Sequence, residues 1–206
     1  WKFEKDMLSN PDMDISELEK IGKKGVLALV SDSTNIFTPS QKETEADVAN
    51  SLIDIFAAQK GRIFITCFAS NVTRMHNIAK AAEANGRQVC LLGRSLWRID
   101  DAARHTGYLK DIPEFLTEEQ AEGIADNQIV YICTGSQGEP FSSLSKISSS
   151  KSNSRIQLTA DDVVIFSSRI IPGNEQSIAA LQRRLMMKGC QIITDRDALV
   201  HVSGHP

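Results

Sequence analysis

The fold is decided by residues 63–92, which read IFITCFASNVTRMHNIAKAAEANGRQVCLL. Two apolar runs, Ile63 to Cys67 and Val89 to Leu92, predict two buried strands. Between them, residues 72–85 have helical spacing and end at Asn85-Gly86, a pair that favours a helix C-terminus. The order strand, helix, strand predicts a βαβ unit with two parallel strands in one sheet.

The same alternation continues on both sides of this unit. Further strands are predicted for short apolar runs, at Val26 to Val30, Ile129 to Cys133, Val163 to Phe166, 190–194 and 198–202. Further helices are predicted where apolar residues recur at helical spacing, at 14–22, 42–59, 94–106 and 174–188. Residues 107–127 are predicted to be irregular, and the serine-rich residues 141–155 to form a helix that runs into a mobile loop. We therefore expect an α/β fold with a doubly wound, mainly parallel, Rossmann-like sheet.

Composition narrows the protein class. The 206 residues are 41% hydrophobic and 24% charged, which is typical of a globular chain with one core. The sequence contains neither an apolar run of the roughly 20 residues that a membrane span needs nor a start that resembles a signal peptide. Four cysteines (Cys67, Cys90, Cys133 and Cys190) lack CxxC spacing and are predicted to be buried thiols in a reducing, cytoplasmic compartment.

Charge is unevenly distributed along the chain. The formal net charge of −3 argues against a protein that binds nucleic acid by bulk attraction alone. Residues 62–104, however, hold only 3 acidic side chains against 7 basic ones, which are Arg62, Arg74, Lys80, Arg87, Arg94, Arg98 and Arg104. Two interpretations remain open: a local basic surface that binds a polyanion, or arginines on solvated helix faces.

Small polar residues follow the predicted strands. Ligands of doubly wound sheets bind beyond the carboxyl ends of the strands, and exposed N–H groups and hydroxyls there suit phosphate oxygens. The alternative is that Gly, Ser and Asn are simply common in turns. Neither GxGxxG nor GxxxxGK[ST] occurs, so the usual nucleotide-binding loops are missing.

His201 and His205 are four residues apart, but Gly204 and the strand-like residues before it argue against a helical metal pair. His76 and His105 are expected to be surface or capping residues.

Six blocks of sequence, in order, resemble bacterial ribonuclease J, a family that joins a metallo-β-lactamase domain to a β-CASP domain. These blocks are VSDSTN (30–35), FASN (68–71) with Arg74, GRS (93–95), TGSQGEP (134–140), IPGNE (171–175) and HVSGH (201–205). The resemblance spans nearly the whole chain. It implies an end piece of the metallo-β-lactamase domain at 1–40, a β-CASP domain at 41–195, and a return strand with a histidine motif at 196–206.

The resemblance also implies a function and a set of site residues. The family cleaves RNA by two-zinc hydrolysis, both as a 5′-to-3′ exonuclease and as an endonuclease. Catalytic roles are implied for His205, which would contact the scissile phosphate, and for Asp32, which would orient it. The implied RNA- and phosphate-binding residues are Ser203, Gly204, His201, Ser70, Asn71, Arg74, Ser136 and Gln137, with Arg94 as a further backbone contact. The implied partner is RNA with a 5′-monophosphate, and the full-length protein is expected to be a homo-oligomer.

The zinc motif HxHxDH of the family is absent. Trp1 is similar to the position just after one ligand aspartate of the family, and a ligand histidine is expected beyond Pro206. We therefore expect two zinc ions in the full-length enzyme, no zinc ligand within these residues, and no hydrolysis by the 206-residue chain alone. The alternatives are a non-catalytic RNA-binding module and a Rossmann-like domain that binds a mononucleotide.

Overall fold

The computed structural model describes residues 15–31, 33, 34, 37, 43–149 and 154–203. Its centre is a five-stranded sheet in which every neighbouring pair is parallel. The strands are β1 (Ile63–Thr66), β2 (Gln88–Leu92), β3 (Ile129–Cys133), β4 (Val163–Phe166) and β5 (Gln191–Ile193), in the order β2-β3-β1-β4-β5. The predicted α/β fold with a mainly parallel sheet is confirmed.

Helices cover both faces of the sheet. They are α2 (Glu45–Ala58), α3 (Val72–Ala84), α4 (Arg94–Thr106), α5 (Ser143–Ser148) and α6 (Glu175–Met187). A further helix, α1 (Ile15–Lys24), has no buried residue, and a short 3₁₀ helix spans Asp126–Gln128. Side chains of a strand alternate between faces, so Ile63 and Ile65 pack in one core and Phe64 in the other. The first core contains apolar residues of α2, α3 and α4, and the second contains those of α5 and α6. The sheet is therefore doubly wound.

Hydrogen bonds of side chains fix where two helices of the first core, α2 and α3, begin. The Thr44 hydroxyl accepts from the Asp47 N–H at 3.2 Å, and an Asp47 carboxylate oxygen accepts from the Thr44 N–H at 2.8 Å. This reciprocal capping box starts α2. Asn71 starts α3 in a simpler way, because its side-chain oxygen accepts from the Arg74 N–H at 2.9 Å.

Two predicted strands are wrong. Residues 26–30 form no strand, and Leu27, Leu29 and Val30 are at least 78% exposed. An apolar run indicates burial but not the surface against which it is buried, and the described residues provide no such surface for 26–30. Residues 198–202 are not a strand either, although Val200 and Val202 are buried. The carbonyl of Val200 accepts from the side chains of Arg74 and Ser167 instead of from a neighbouring strand.

The four cysteines are buried and form no disulfide, as predicted. Burial raises the pKa of the Cys67 thiol to about 11 and that of the Cys90 thiol to about 12, so both are protonated and unreactive near neutral pH. Across the ranges that the structure describes, no helix is both long and apolar enough to traverse a lipid bilayer.

Candidate functional site

The carboxyl ends of the strands lie at one edge of the sheet because all five strands are parallel. At this edge α3 and α4 leave β1 and β2 toward the first core, whereas α5 and α6 leave β3 and β4 toward the second. Each neighbouring pair from β2 to β4 therefore sends its helices to opposite faces. Such divergence opens a crevice at the strand ends, where ligands of doubly wound sheets bind.

Between β1 and β4 the crevice is filled by a buried arginine. Arg74 is 0% exposed, and its Nη2 donates to the two carboxylate oxygens of Glu45 at 2.8 and 3.0 Å, with Nε donating at 3.1 Å. Its Nη1 donates to the hydroxyl of Ser167 at 2.6 Å and to the carbonyl of Val200 at 2.8 Å. The Ser167 hydroxyl in turn donates to the Val200 carbonyl at 2.6 Å. We call these four residues the Arg74 clamp.

The Arg74 clamp revises the interpretation of this arginine as an RNA contact. A buried guanidinium needs a paired carboxylate and hydrogen bonds for its remaining N–H groups, and Arg74 has both. It therefore presents no donor at the surface in this structure. Its contacts instead join α2, α3 and the loop after β4 to Val200, which directly precedes His201.

Gln137 joins the loops after β3 and β4 across the end of β1. Its side-chain nitrogen donates to the Arg169 carbonyl at 2.9 Å, and its side-chain oxygen accepts from the Ile171 N–H at 2.9 Å. The same oxygen accepts from the Asn174 amide at 3.2 Å. Gln137 and its neighbour Ser136 are only 6% and 3% exposed, so both face the interior of the loop pair.

A close approach of backbone explains one glycine of the TGSQGEP block. Gly138 has φ of +74°, and a Cβ atom there would lie 2.6 Å from the carbonyl carbon of Ser177 in α6. Any side chain would separate the loop after β3 from this helix. Gly138 is therefore explained by packing alone, without a phosphate.

The remaining predicted residues are placed as follows. Ser70 is exposed at the end of β1, and Asn71 is half-buried as the cap of α3. His201 and Ser203 are half-buried beyond the Arg74 clamp. Asp32, Gly204 and His205 lie outside the described residues, so the structure does not test their catalytic and phosphate-binding roles.

Between β2 and β3 the crevice is open. We call this cavity of about 1430 Å³ the edge groove. The residues that line it are 91–95, 97, 98, 117–119, 134, 139–143, 146, 147, 149 and 154–156. Four exposed cations line it: Arg94, Arg98 and Lys146, and Arg155, which is paired with Glu119. Phe141, which is 86% exposed, lines it as well. The sequence singled out Arg94 and Arg98 within the basic stretch 62–104 but missed Lys146 and Phe141. Arg98 lies four residues after Arg94 in α4, and this spacing puts both side chains on one face of the helix.

The serine-rich stretch has a structural role in its described part. Ser142 caps α5 by accepting from the Ser145 N–H at 3.3 Å. The hydroxyls of Ser145 and Ser148 accept from the Arg184 guanidinium of α6 at 3.1 and 3.0 Å. These contacts tie α5, one wall of the edge groove, to the second core. Residues 150–153 lie outside the described residues.

A metal site needs converging ligands. Among the residues that the structure describes, no group of three or more His, Cys, Asp or Glu side chains could hold a metal ion. His76 instead lies 2.9 Å from the Asp111 carboxylate on the surface, and the cysteines are protonated. The described residues therefore do not fit a zinc centre, and we derive no catalytic step through one.

Comparison with known proteins identifies one family. Residues 60–185 match the family model described as "Ribonuclease J, beta-CASP domain". The chain is 45% identical over 206 residues to Ribonuclease J of Sinorhizobium meliloti, covering 100% of the chain and 36% of that protein. It is 40% identical over 193 residues to Ribonuclease J of Mycobacterium tuberculosis, covering 93% of the chain and 34% of that protein. It is 34% identical over 197 residues to Ribonuclease J of Thermus thermophilus, covering 94% of the chain and 34% of that protein. The chain thus spans about a third of the length of these curated relatives.

Proposed function

Because the chain belongs to the ribonuclease J family and carries its β-CASP domain, we propose that it is the RNA-clamping part of a ribonuclease. In this proposal residues 41–195 form the β-CASP domain, and residues 1–40 and 196–206 belong to the metallo-β-lactamase domain. The whole enzyme cleaves RNA in the cytoplasm as a 5′-to-3′ exonuclease and an endonuclease, acts as a homo-oligomer, and takes RNA with a 5′-monophosphate.

One observation carries the proposal: the Arg74 clamp fixes Val200 at the carboxyl edge of the sheet. Val200 is followed directly by His201 to His205, the segment to which we assign phosphate binding. The clamp is buried and fully hydrogen-bonded, so it supports a fixed start for this segment. Fixed donors contribute most to binding and to catalysis when they need no rearrangement as the phosphate arrives.

The chain's own residues have separate roles in the proposal. Ser203 and Gly204 donate to the 5′-phosphate, and His201 lies against the RNA backbone. Asp32 orients the His205 imidazole, which stabilises charge on the scissile phosphoryl group or gives a proton to the leaving oxygen. Ser70 adds an exposed hydroxyl beside this mouth, and Asn71 and Gln137 hold the loops around it. Ser136 is buried beside Gln137. The two zinc ions expected for the family would be held by residues other than those described.

The experiment is His205→Ala in the full-length enzyme. RNA binding should remain within about twofold, and the cleavage rate should fall at least tenfold, since general acid–base groups typically contribute about 10²–10⁴-fold. His105→Ala is a matched control, because His105 is an exposed histidine in the last turn of α4. Unchanged turnover of His205→Ala would remove this residue from the mechanism.

A non-catalytic RNA-binding module is the second candidate. The exposed cations of the edge groove favour it, because they could attract RNA without any metal. A full-length protein that binds RNA but, after purification to homogeneity, never cleaves it would establish this second function over the first.

A further inference from the structure

The edge groove combines cations with an aromatic side chain. Arg94, Arg98 and Lys146 are exposed, and none of them forms an ion pair with any other residue that the structure describes. An arginine or lysine without a carboxylate partner keeps its full attraction for an external anion. Phe141, which precedes α5 and lines the same groove, leaves 86% of its surface open to solvent.

Two of the three acidic side chains that line the groove are engaged by neighbouring groups. Glu119 is paired with Arg155 at 3.2 Å, and Arg155 also contacts Glu122 at 3.3 Å. A carboxylate oxygen of Glu139 accepts from the Gln137 N–H at 3.0 Å, which turns it toward its own loop. Glu118 is the remaining carboxylate of the lining. On its α4 and α5 sides the groove therefore presents three exposed cations, Arg94, Arg98 and Lys146.

The groove lies at the same edge of the sheet as the phosphate site proposed above. It opens where β2 and β3 send α4 and α5 to opposite faces, which is the position where ligands of doubly wound sheets bind. Neighbouring strands are about 4.8 Å apart, so β2 lies roughly 10 Å from β1 along the same edge. A strand of RNA whose 5′ end lies near β1 and β4 can reach the groove with its following nucleotides.

We propose that the edge groove binds single-stranded RNA downstream of the 5′ end, with phosphates on Arg94, Arg98 and Lys146 and a base stacked on Phe141. This inference rests on the proposed function, since it extends the same RNA path. A groove of positive charge with an aromatic platform is the usual way to hold a single strand without reading its sequence. The rim of serine and threonine hydroxyls adds neutral donors for sugar and phosphate oxygens.

The test is R94E/R98E/K146E in the full-length enzyme, with 5′-phosphorylated RNAs of two and of twelve nucleotides. The dinucleotide ends before the groove and the 12-mer crosses it. We expect kcat/KM on the 12-mer to fall about tenfold or more, with the dinucleotide changed less than twofold. The log–log salt dependence for the 12-mer should weaken by about two units, because each single-strand phosphate contact contributes about 0.7. Phe141→Ala alone should lower kcat/KM on the 12-mer about fivefold or more.

The matched control is K60E/K110E/R183E, which makes the same change in charge at exposed positions outside the groove. All six substituted cations are on the surface, and thermal unfolding of both triple variants verifies that they fold. If kcat/KM on the 12-mer fell equally in the two triple variants, the effect would be one of general charge, and the proposal that the edge groove binds RNA would be overturned. An equal loss on dinucleotide and 12-mer, or unchanged activity on the 12-mer, would also overturn it while the proposed function stands. A wild-type enzyme inactive on both RNAs would overturn the proposed function and this inference with it.

Discussion

Two crevices at the same edge of the sheet contain arginines that differ in exposure: one is buried and the other is exposed. Between β1 and β4, Arg74 is fully buried and donates to Glu45, Ser167 and Val200. Between β2 and β3, Arg94 is exposed in an open groove with no ion-pair partner among the described residues. Both arginines lie in the first turn of the helix that follows a strand, so sequence position alone gives them the same role.

The difference shows how one edge supports both order and binding. A filled crevice fixes the segment that leads into the proposed phosphate site. An open crevice leaves charge available to a ligand. Removing the contacts of Arg74 in the filled crevice should therefore lower the stability of the fold. Removing the exposed cations of the open crevice should change only the binding of RNA.

The largest effect is expected for Arg74→Met. This change leaves the Glu45 carboxylate, 7% exposed, without its guanidinium, and the Val200 carbonyl without one of its two donors. Removing one partner of a buried ion pair costs about 3–5 kcal/mol, so the free energy of unfolding should fall by that amount. Urea denaturation of the 206-residue chain measures it.

Arg98→Met is the control for this prediction. It removes the same charge and introduces the same side chain at an exposed position, where substitutions usually change stability by no more than about 0.5 kcal/mol. If the two variants were equally stable, the distinction between the filled and the open crevice would be lost.

The smallest effect is expected at an exposed ion pair, for Asp111→Asn. A hydrogen bond from His76 holds the pKa of the Asp111 carboxyl below its usual value. The folded state then binds this proton less readily than the unfolded state, so the pair stabilises the fold above about pH 4 and loses its effect as the pH falls below that. The pair contributes less than about 1 kcal/mol to the free energy of unfolding, because Asp111 is 56% exposed and screened by water.

Thermal unfolding of wild type and Asp111→Asn at pH 5 and pH 3 tests the direction of this pH dependence of stability. The wild type should be slightly more stable at pH 5, and the difference should shrink at pH 3. A difference that grows toward pH 3 would show that the pair does not act through the ionised carboxylate.

Local sequence predicted most elements of the fold. Ile129 to Cys133 and Val163 to Phe166 are continuous apolar runs, and both are central strands with the predicted bounds. Val26 to Val30 has the same pattern but is exposed, because periodicity reports burial and not the partner that provides it.

The candidate site was harder to predict because its decisive contacts are long-range. Glu45 is 29 residues from Arg74 along the chain, and Val200 is 126 residues from it. No local pattern links positions so far apart. The edge of the sheet could be predicted, since polar residues follow each strand, but which arginine is buried depends on how distant segments pack.

The most direct test of the central claim compares RNA with a 5′-phosphate and RNA with a 5′-hydroxyl, of one sequence, in a binding titration with the 206-residue chain. If the carboxyl edge holds the 5′ end through Ser203 and Gly204, the phosphorylated RNA should bind at least about tenfold more tightly, since each hydrogen bond to a charged group contributes roughly 1.5–3 kcal/mol. Ser203→Ala should narrow that preference. Equal affinity for the two RNAs, or no binding of either, would contradict the account.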